Sequence, residues 1–202
     1  MRDGGADTMK GCRPLTDGEL ALVHKSFGGT YAARDRALFI LGVKSGFRIS
    51  ELLSLRVGDV YQQGRVVDRV TVPRRHMKRK MEGRTVLLHP EAKTALAAWL
   101  QVLHRQVPTT PALYVFRSRK GQNRPIGRTY AWAILHAIYQ SNGFTGALGT
   151  HAMRKTFATR VYNHLNHDLV KTQRALGHKN INSTVSYLSF RDEEIDAAIL
   201  AG

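Results

Sequence analysis

Five side chains stand at spacings suited to chemistry on a phosphate. Tyr187 follows His178 by nine residues in the stretch Leu176-Gly-His-Lys-Asn-Ile-Asn-Ser-Thr-Val-Ser-Tyr187, near the C-terminus. His151 and Arg154 share Thr150-His-Ala-Met-Arg-Lys-Thr-Phe-Ala-Thr159, and Arg48 lies in Ser45-Gly-Phe-Arg-Ile-Ser-Glu-Leu-Leu-Ser-Leu55. An in-line attack on a phosphodiester places extra negative charge on the nonbridging oxygens. Arg48 and Arg154 can each donate paired N–H groups to those oxygens and stay charged at any working pH. Removing one such preorganised donor costs on the order of a hundredfold to a thousandfold in rate. A tyrosine of pKa about 10 must lose its proton during attack or be favoured as phenolate by neighbouring cations. His151 can hydrogen-bond the phosphate or help take that proton, its ordinary pKa being near neutrality, and His178 is expected to bond the phosphate. Glu51, one turn after Arg48, is placed to orient its guanidinium.

Charge points to the same class of substrate. Lysine and arginine number 31 against 15 acidic residues, a formal charge of +16 in 202 residues, which is the sign and size that attract a polyanion. The excess is clustered. Eight basic residues fall between Arg65 and Arg84 against Asp68 and Glu82, and Arg117 to Arg128 adds five with no acid. Arg74, Arg75, Arg79, Lys80, Arg117, Arg119, Lys120 and Arg124 are the candidate contacts to DNA phosphates. Cys12 is the only cysteine, so an internal disulfide framework and a multi-thiolate zinc site are excluded. Residues 1–13 are polar and Gly-rich and do not resemble a secretory signal, and no apolar run approaches membrane-spanning length. A cytoplasmic protein without a membrane partner is expected.

These residues need elements to hold them. Thr16-x-x-Glu19 has the spacing of a capping box ahead of Leu20, Val23 and Phe27, which predicts a helix ending at Gly28-Gly29. A largely apolar helix over 32–44 and a short one over 48–55 flank Ser45-Gly46, so Arg48 falls just past a glycine turn. β-Branched runs at Val66 and Val67, Val70 to Val72 and Thr85 to Leu88 predict a small antiparallel sheet. Pro90 at a first helical position opens a helix with an Ala92, Leu96, Leu100 and Leu103 stripe. Residues 104–128 read mainly as loop. Helices resume over 129–140, 150–165, with Thr150 as its N-cap, then 168–176 and 181–188, and a last one spans 192–200. The fold class is α+β, mainly α-helical, with a three-stranded antiparallel sheet. Its parts are a disordered lead-in (1–13), a catalytic domain (14–190) and a C-terminal tail helix (191–202), free to dock on a neighbouring protomer or on its own domain.

Taken together and in this order, the three motifs resemble the signatures of the tyrosine recombinase (phage integrase) family, over about residues 15–188. The resemblance implies catalytic roles for Arg48, His151, Arg154, His178 and Tyr187, and a general-acid lysine on a sheet hairpin. That hairpin is similar to His76-Met-Lys-Arg-Lys-Met-Glu-Gly-Arg-Thr-Val-Leu-Leu88. Lys78 is the preferred acid and Lys80 the alternative, because the turn before Val86 is one residue longer than usual and Leu87 replaces a common proline. The implied function is site-specific DNA recombination or integration through a 3′-phosphotyrosine and a Holliday junction, with no cofactor. The implied partners are double-stranded DNA and three further copies on synapsed sites, with DNA-bending accessory proteins, while the free chain is a monomer in a bacterial or phage cytoplasm, associated with the nucleoid. The alternatives are type IB topoisomerase-like relaxation and an inactive DNA-binding protein of the same fold. Family members often carry an N-terminal helical domain, so this chain is expected to be either a short single-domain recombinase or a catalytic fragment.

Overall fold

The computed structural model describes residues 12–72, 84–188, 196 and 199–201. The chain divides into two compact units, 1–157 and 158–202. In the first unit α1 (Asp17–Lys25) starts at the expected capping box: Thr16 Oγ1 accepts from the Glu19 amide at 3.2 Å and Glu19 Oε2 from the Thr16 amide at 2.8 Å. Arg13 donates to the same carboxylate and to the carbonyl of Thr145, fastening the segment just before α1 to a distant loop.

α2 (Ala32–Ser45) is the central helix. Every residue from Ala37 to Val43 is buried, as a helix apolar on all sides must be. It packs against α5 (Pro90–Gln106), whose stripe of Ala92, Leu96, Trp99, Leu100 and Leu103 is buried as its spacing predicts. Each fully buried leucine contributes about 1.5–3 kcal/mol. Trp99 also donates its indole N–H to the Val115 carbonyl at 2.8 Å, tying α5 to the run Leu113–Phe116 in the long loop. Between these helices lie α3 (Ile49–Ser54) and α4 (Val57–Val60), the second of which the apolar pattern does not reveal; Asp59 reaches back to the Arg56 amide at 2.8 Å to start it.

The strands differ from the single three-stranded sheet expected. Among the described residues, β1 (Tyr61–Gln62) pairs with β2 (Arg65–Val66), and β3 (Arg69–Val72) with β4 (Arg84–Leu87), as two separate antiparallel ladders. Gln63 and Gly64, with φ of 49° and 77°, form the tight left-handed turn that folds β2 back on β1. Lys78, Lys80, Arg74, Arg75 and Arg79 fall in 73–83, outside the described residues. α6 (Arg128–Ser141) and the first eight residues of α7 (Thr150–His164) complete the unit. Thr150 is the first helical residue of α7, not its cap as expected, and at Gly149 before it a Cβ would come within 3.3 Å of the Trp132 indole.

The second unit holds the remainder of α7, α8 (Leu169–Leu176), capped by Asp168 through the Lys171 amide at 2.8 Å, and α9 (Asn182–Val185). Of the expected tail helix the described residues are 196 and 199–201; all are helical, with Ile199 and Leu200 exposed. No helix among the described residues is long and apolar enough to cross a membrane.

Gly46 ends α2 at φ 61°, and a Cβ there would meet the Phe157 ring at 2.3 Å. Gly64 shares the left-handed backbone but nothing lies within 4 Å of its Cβ position. Gly46→Ala is therefore expected to cost about 3 kcal/mol of stability, and Gly64→Ala about 1 kcal/mol, in denaturant unfolding. Equal losses at the two positions would contradict the packing described for the Gly46 turn.

Candidate active site

In the first unit the turn after α2 gathers three guanidiniums. The Gly46 carbonyl accepts from Arg154 Nη1 and from Arg84 Nη1 at 3.3 Å, and the neighbouring Ser45 carbonyl accepts from Arg84 Nη2 at 3.0 Å. Arg84 comes from β4 and lies 5.5 Å from the Phe47 ring centroid, while Arg154 comes from α7 and is 1% exposed. Ser45 donates its own hydroxyl back to the Leu41 carbonyl at 2.5 Å, which keeps the last turn of α2 closed.

Arg48 occupies the N-cap position of α3 immediately beyond that turn. Glu51 holds it twice: Oε1 accepts from Arg48 Nη1 at 2.9 Å and Oε2 from the Arg48 amide at 2.8 Å. The carboxylate is 2% exposed, whereas the Arg48 side chain is 40% exposed. The expected orienting role of Glu51 has this geometry, which leaves the Arg48 guanidinium reachable from solvent.

Positive charge is thus concentrated, and the ionisation equilibria register it. Burial, then the charges of Arg154 and Arg48, lower the Arg84 pKa to about 10, with Glu51 pulling the other way. Arg84 nevertheless stays charged at neutral pH. His151, exposed in the first turn of α7, has its pKa lowered from 6.5 by partial desolvation of the ring, then by the like charges of Arg154, Arg48 and Lys155. It is accordingly a neutral imidazole at pH 7, the form able to accept a proton.

In the second unit Gly177 caps α8 in a left-handed conformation and the chain turns directly into His178. The His178 amide donates to the Gln173 carbonyl at 3.1 Å, and Gln173 Nε2 returns hydrogen bonds to the carbonyls of His178 and Lys179 at 3.0 and 3.1 Å. The imidazole is 8% exposed, with Nδ1 3.0 Å from the buried Thr184 hydroxyl. When that hydroxyl donates, Nδ1 is the acceptor and Nε2 carries the proton, the tautomer suited to donating to a phosphate oxygen. Tyr187 stands on a turn just past α9, its amide bonded to the Thr184 carbonyl at 3.0 Å. Its ring meets that of His178 edge-on, with centroids 5.1 Å apart.

The structure therefore brings Arg48, Glu51 and Arg154 together within the first unit, and His178 and Tyr187 within the second. Among the candidate DNA contacts, Arg119, Lys120 and Arg124 are exposed and Arg117 half-buried, on the segment closed by the Arg117–Pro125 bridge. Sequence reading missed Arg84, Thr184 and Gln173 as site residues. Arg84 was visible only as one cation in a cluster, while Thr184 and Gln173 had a possible signal in lying six residues after and five before His178. Among the described residues no three His, Cys, Asp or Glu side chains are grouped to hold a metal ion.

A proton-detected titration of the His151 ring in the DNA-free chain is expected to have a midpoint below 6.5. Because the unfolded chain then takes the proton first, stability should fall as pH drops through the window below 6.5. A midpoint at or above 6.5 would contradict the desolvation and charge environment described.

The model of the phage integrase family matches residues 17–194. The chain is 29% identical over 165 residues to the probable integrase/recombinase YoeC of Bacillus subtilis (strain 168), covering 82% of each chain. It is 26% identical over 186 residues to the tyrosine recombinase XerC of Caldanaerobacter subterraneus subsp. tengcongensis, covering 92% of this chain but 49% of that one. It thus spans about half the length of this XerC. Among solved structures, the site-specific recombinase XerH bound to a palindromic difH substrate, in a post-cleavage complex, superposes with a TM-score of 0.73. That match is at 25% identity and covers 92% of this chain and 51% of that one. With its three motifs, its mainly helical fold and a family match over most of its length, the chain belongs to the phage integrase family, and the relatives named here include a tyrosine recombinase.

Proposed function

We propose that the chain is a site-specific DNA recombinase or integrase that cuts and rejoins double-stranded DNA through Tyr187. The observation that carries this reading is the guanidinium cluster at the Gly46 turn, with Arg154 and Arg84 anchored on backbone carbonyls and Arg48 held by Glu51. Such donors suit a phosphodiester whose nonbridging oxygens gain charge in the transition state. The DNA complex of the related XerH supports double-stranded DNA as partner.

In the proposed step the Tyr187 phenol oxygen attacks phosphorus and the P–O5′ bond breaks. The phenolic proton passes to a base, with neutral His151 the candidate, and the leaving 5′ oxygen takes a proton from Lys78, or from Lys80 in its place. Arg48, Arg154 and His178 donate to the nonbridging oxygens. The product is a 3′-phosphotyrosine and a free 5′ hydroxyl. That hydroxyl or one from another duplex reverses the reaction, because the phosphodiester energy is retained. Residues 14–190 form the catalytic domain in this reading, and the 191–202 tail docks on a neighbouring protomer or back on its own domain. Four copies act on two synapsed sites through a Holliday junction, aided by DNA-bending proteins, in the bacterial or phage cytoplasm at the nucleoid. The free chain is monomeric.

A pool of nicked duplexes with randomised sequence, from which a cleaved strand end escapes, is the direct substrate for a test. Wild-type protein is expected to give an adduct that survives denaturing electrophoresis, and Tyr187→Phe to give none. No adduct from wild type, or an adduct that persists in Tyr187→Phe, would overturn the assignment. With two copies of a trapped sequence, exchanged strands are expected, whereas relaxed circles alone would mark the chain as a topoisomerase.

A further inference from the structure

Within the first unit, a cavity of about 370 Å³ has Tyr31, Arg34, Ser118, Arg119, Lys120 and Tyr130 among its lining residues. It is separate in sequence from the Gly46 turn. Arg34 is 2% exposed and donates from Nε to Asp35 Oδ1 at 2.8 Å, while Nη2 is buried with no hydrogen-bond partner among the described residues. The guanidinium carbon lies 4.4 Å from the Tyr31 ring centroid and 5.6 Å from that of Tyr130. A second guanidinium, Arg119, lies 5.9 Å from the Tyr31 ring.

Burying a guanidinium with an idle donor is unfavourable unless something outside the apo chain compensates it. The surroundings specify what that is. Arg34, Arg119 and Lys120 supply three cations, and the Asp35 carboxylate already takes the Arg34 Nε. Tyr31 and Gly127 are the N-cap residues of α2 and α6, both 14-residue helices, and neither donates or accepts a side-chain capping bond. Both N-caps line the cavity, so two helix ends add positive partial charge there. Aromatic faces on the guanidinium fix its plane and leave its edge for a planar pair of donors. A compact oxyanion meets all of these features, whereas a neutral acceptor would satisfy the donor but not the surplus charge, and a cation would be repelled.

We propose that this cavity is a second phosphate site, which seats one backbone phosphate of bound DNA away from the scissile position, with Arg34 as its buried donor. The proposal rests on DNA being the partner. It assigns Arg119 and Lys120 to one definite pocket instead of a diffuse basic track, and makes Arg34, hidden in an apolar helix, a DNA-binding residue. No covalent step is involved.

Affinity of the full chain for a mixed-sequence DNA duplex, measured across a salt series, tests it. Each phosphate neutralised contributes close to one unit to the slope of log affinity against log salt. Arg34→Met is expected to weaken binding about tenfold and to reduce that slope by about one, irrespective of DNA sequence. Arg34→Lys, which keeps the charge, is expected to retain the wild-type slope. In the wild-type chain, inorganic phosphate is expected to shift the Arg34 Nε–Hε resonance saturably, and chloride at equal ionic strength is not. A slope unchanged in Arg34→Met would overturn the proposal while leaving the Tyr187 adduct, and with it the recombinase reading, intact. A phosphate-dependent shift together with an unchanged DNA slope would make the cavity a site for free phosphate and equally overturn it. If Arg34→Met unfolds, failure of phosphate to move the wild-type resonance is sufficient to do so.

Discussion

Three guanidiniums and one carboxylate around a single glycine turn set the terms for the first unit. Like charges repel most strongly where water is scarce, and the depression of the Arg84 pKa to about 10 registers both burial and the nearness of Arg154 and Arg48. The cluster persists because each cation has a fixed acceptor: Arg154 and Arg84 share the Gly46 carbonyl, Arg84 adds that of Ser45, and Arg48 takes Glu51. A phosphate brings the negative charge that such a group is short of. The charges are thus preorganised before the substrate arrives, which is the arrangement that stabilises a transition state instead of merely a bound ground state.

The remaining elements of that unit serve this turn. Burial of α2 along nearly its whole length fixes where its C-terminus ends, and the left-handed Gly46 lets the chain reverse against Phe157 where a Cβ would not fit. The β3–β4 ladder sets Arg84 opposite Val72 and so delivers its side chain to the turn. In the second unit a similar economy operates: Gly177 stops α8, Gln173 ties down the carbonyls that follow, and Thr184 fixes the His178 ring beside Tyr187.

Much of this was legible in the residues. The capping box at Thr16 and Glu19, the Pro90 start and the α5 stripe are local signals whose physics is complete within a few residues. The motif positions of Arg48, Glu51 and Arg154 likewise carry their spacing with them. Arg84 was not legible, because one cation among eight in a basic stretch is told from its neighbours only by strand register. The division into two short ladders turned on Gln63 adopting a left-handed backbone, which its residue type does not favour. Thr184 is an ordinary threonine until the turn after Gly177 brings it under the imidazole. Arg34 carries no signal in the sequence, and only its burial and idle donor mark it out.

The central claim is that Arg48 and Arg154 act by neutralising charge on the scissile phosphate. Cleavage rates of wild type, Arg48→Ala and Arg154→Ala on a trapped site, each with a normal or a methylphosphonate scissile group, test it most directly. Both substrates see the same folded variant, so any effect on stability cancels in the comparison. Each variant is expected to lose on the order of a hundredfold to a thousandfold on the phosphodiester and less than about tenfold on the neutral methylphosphonate. Equal losses on the two substrates would contradict the account.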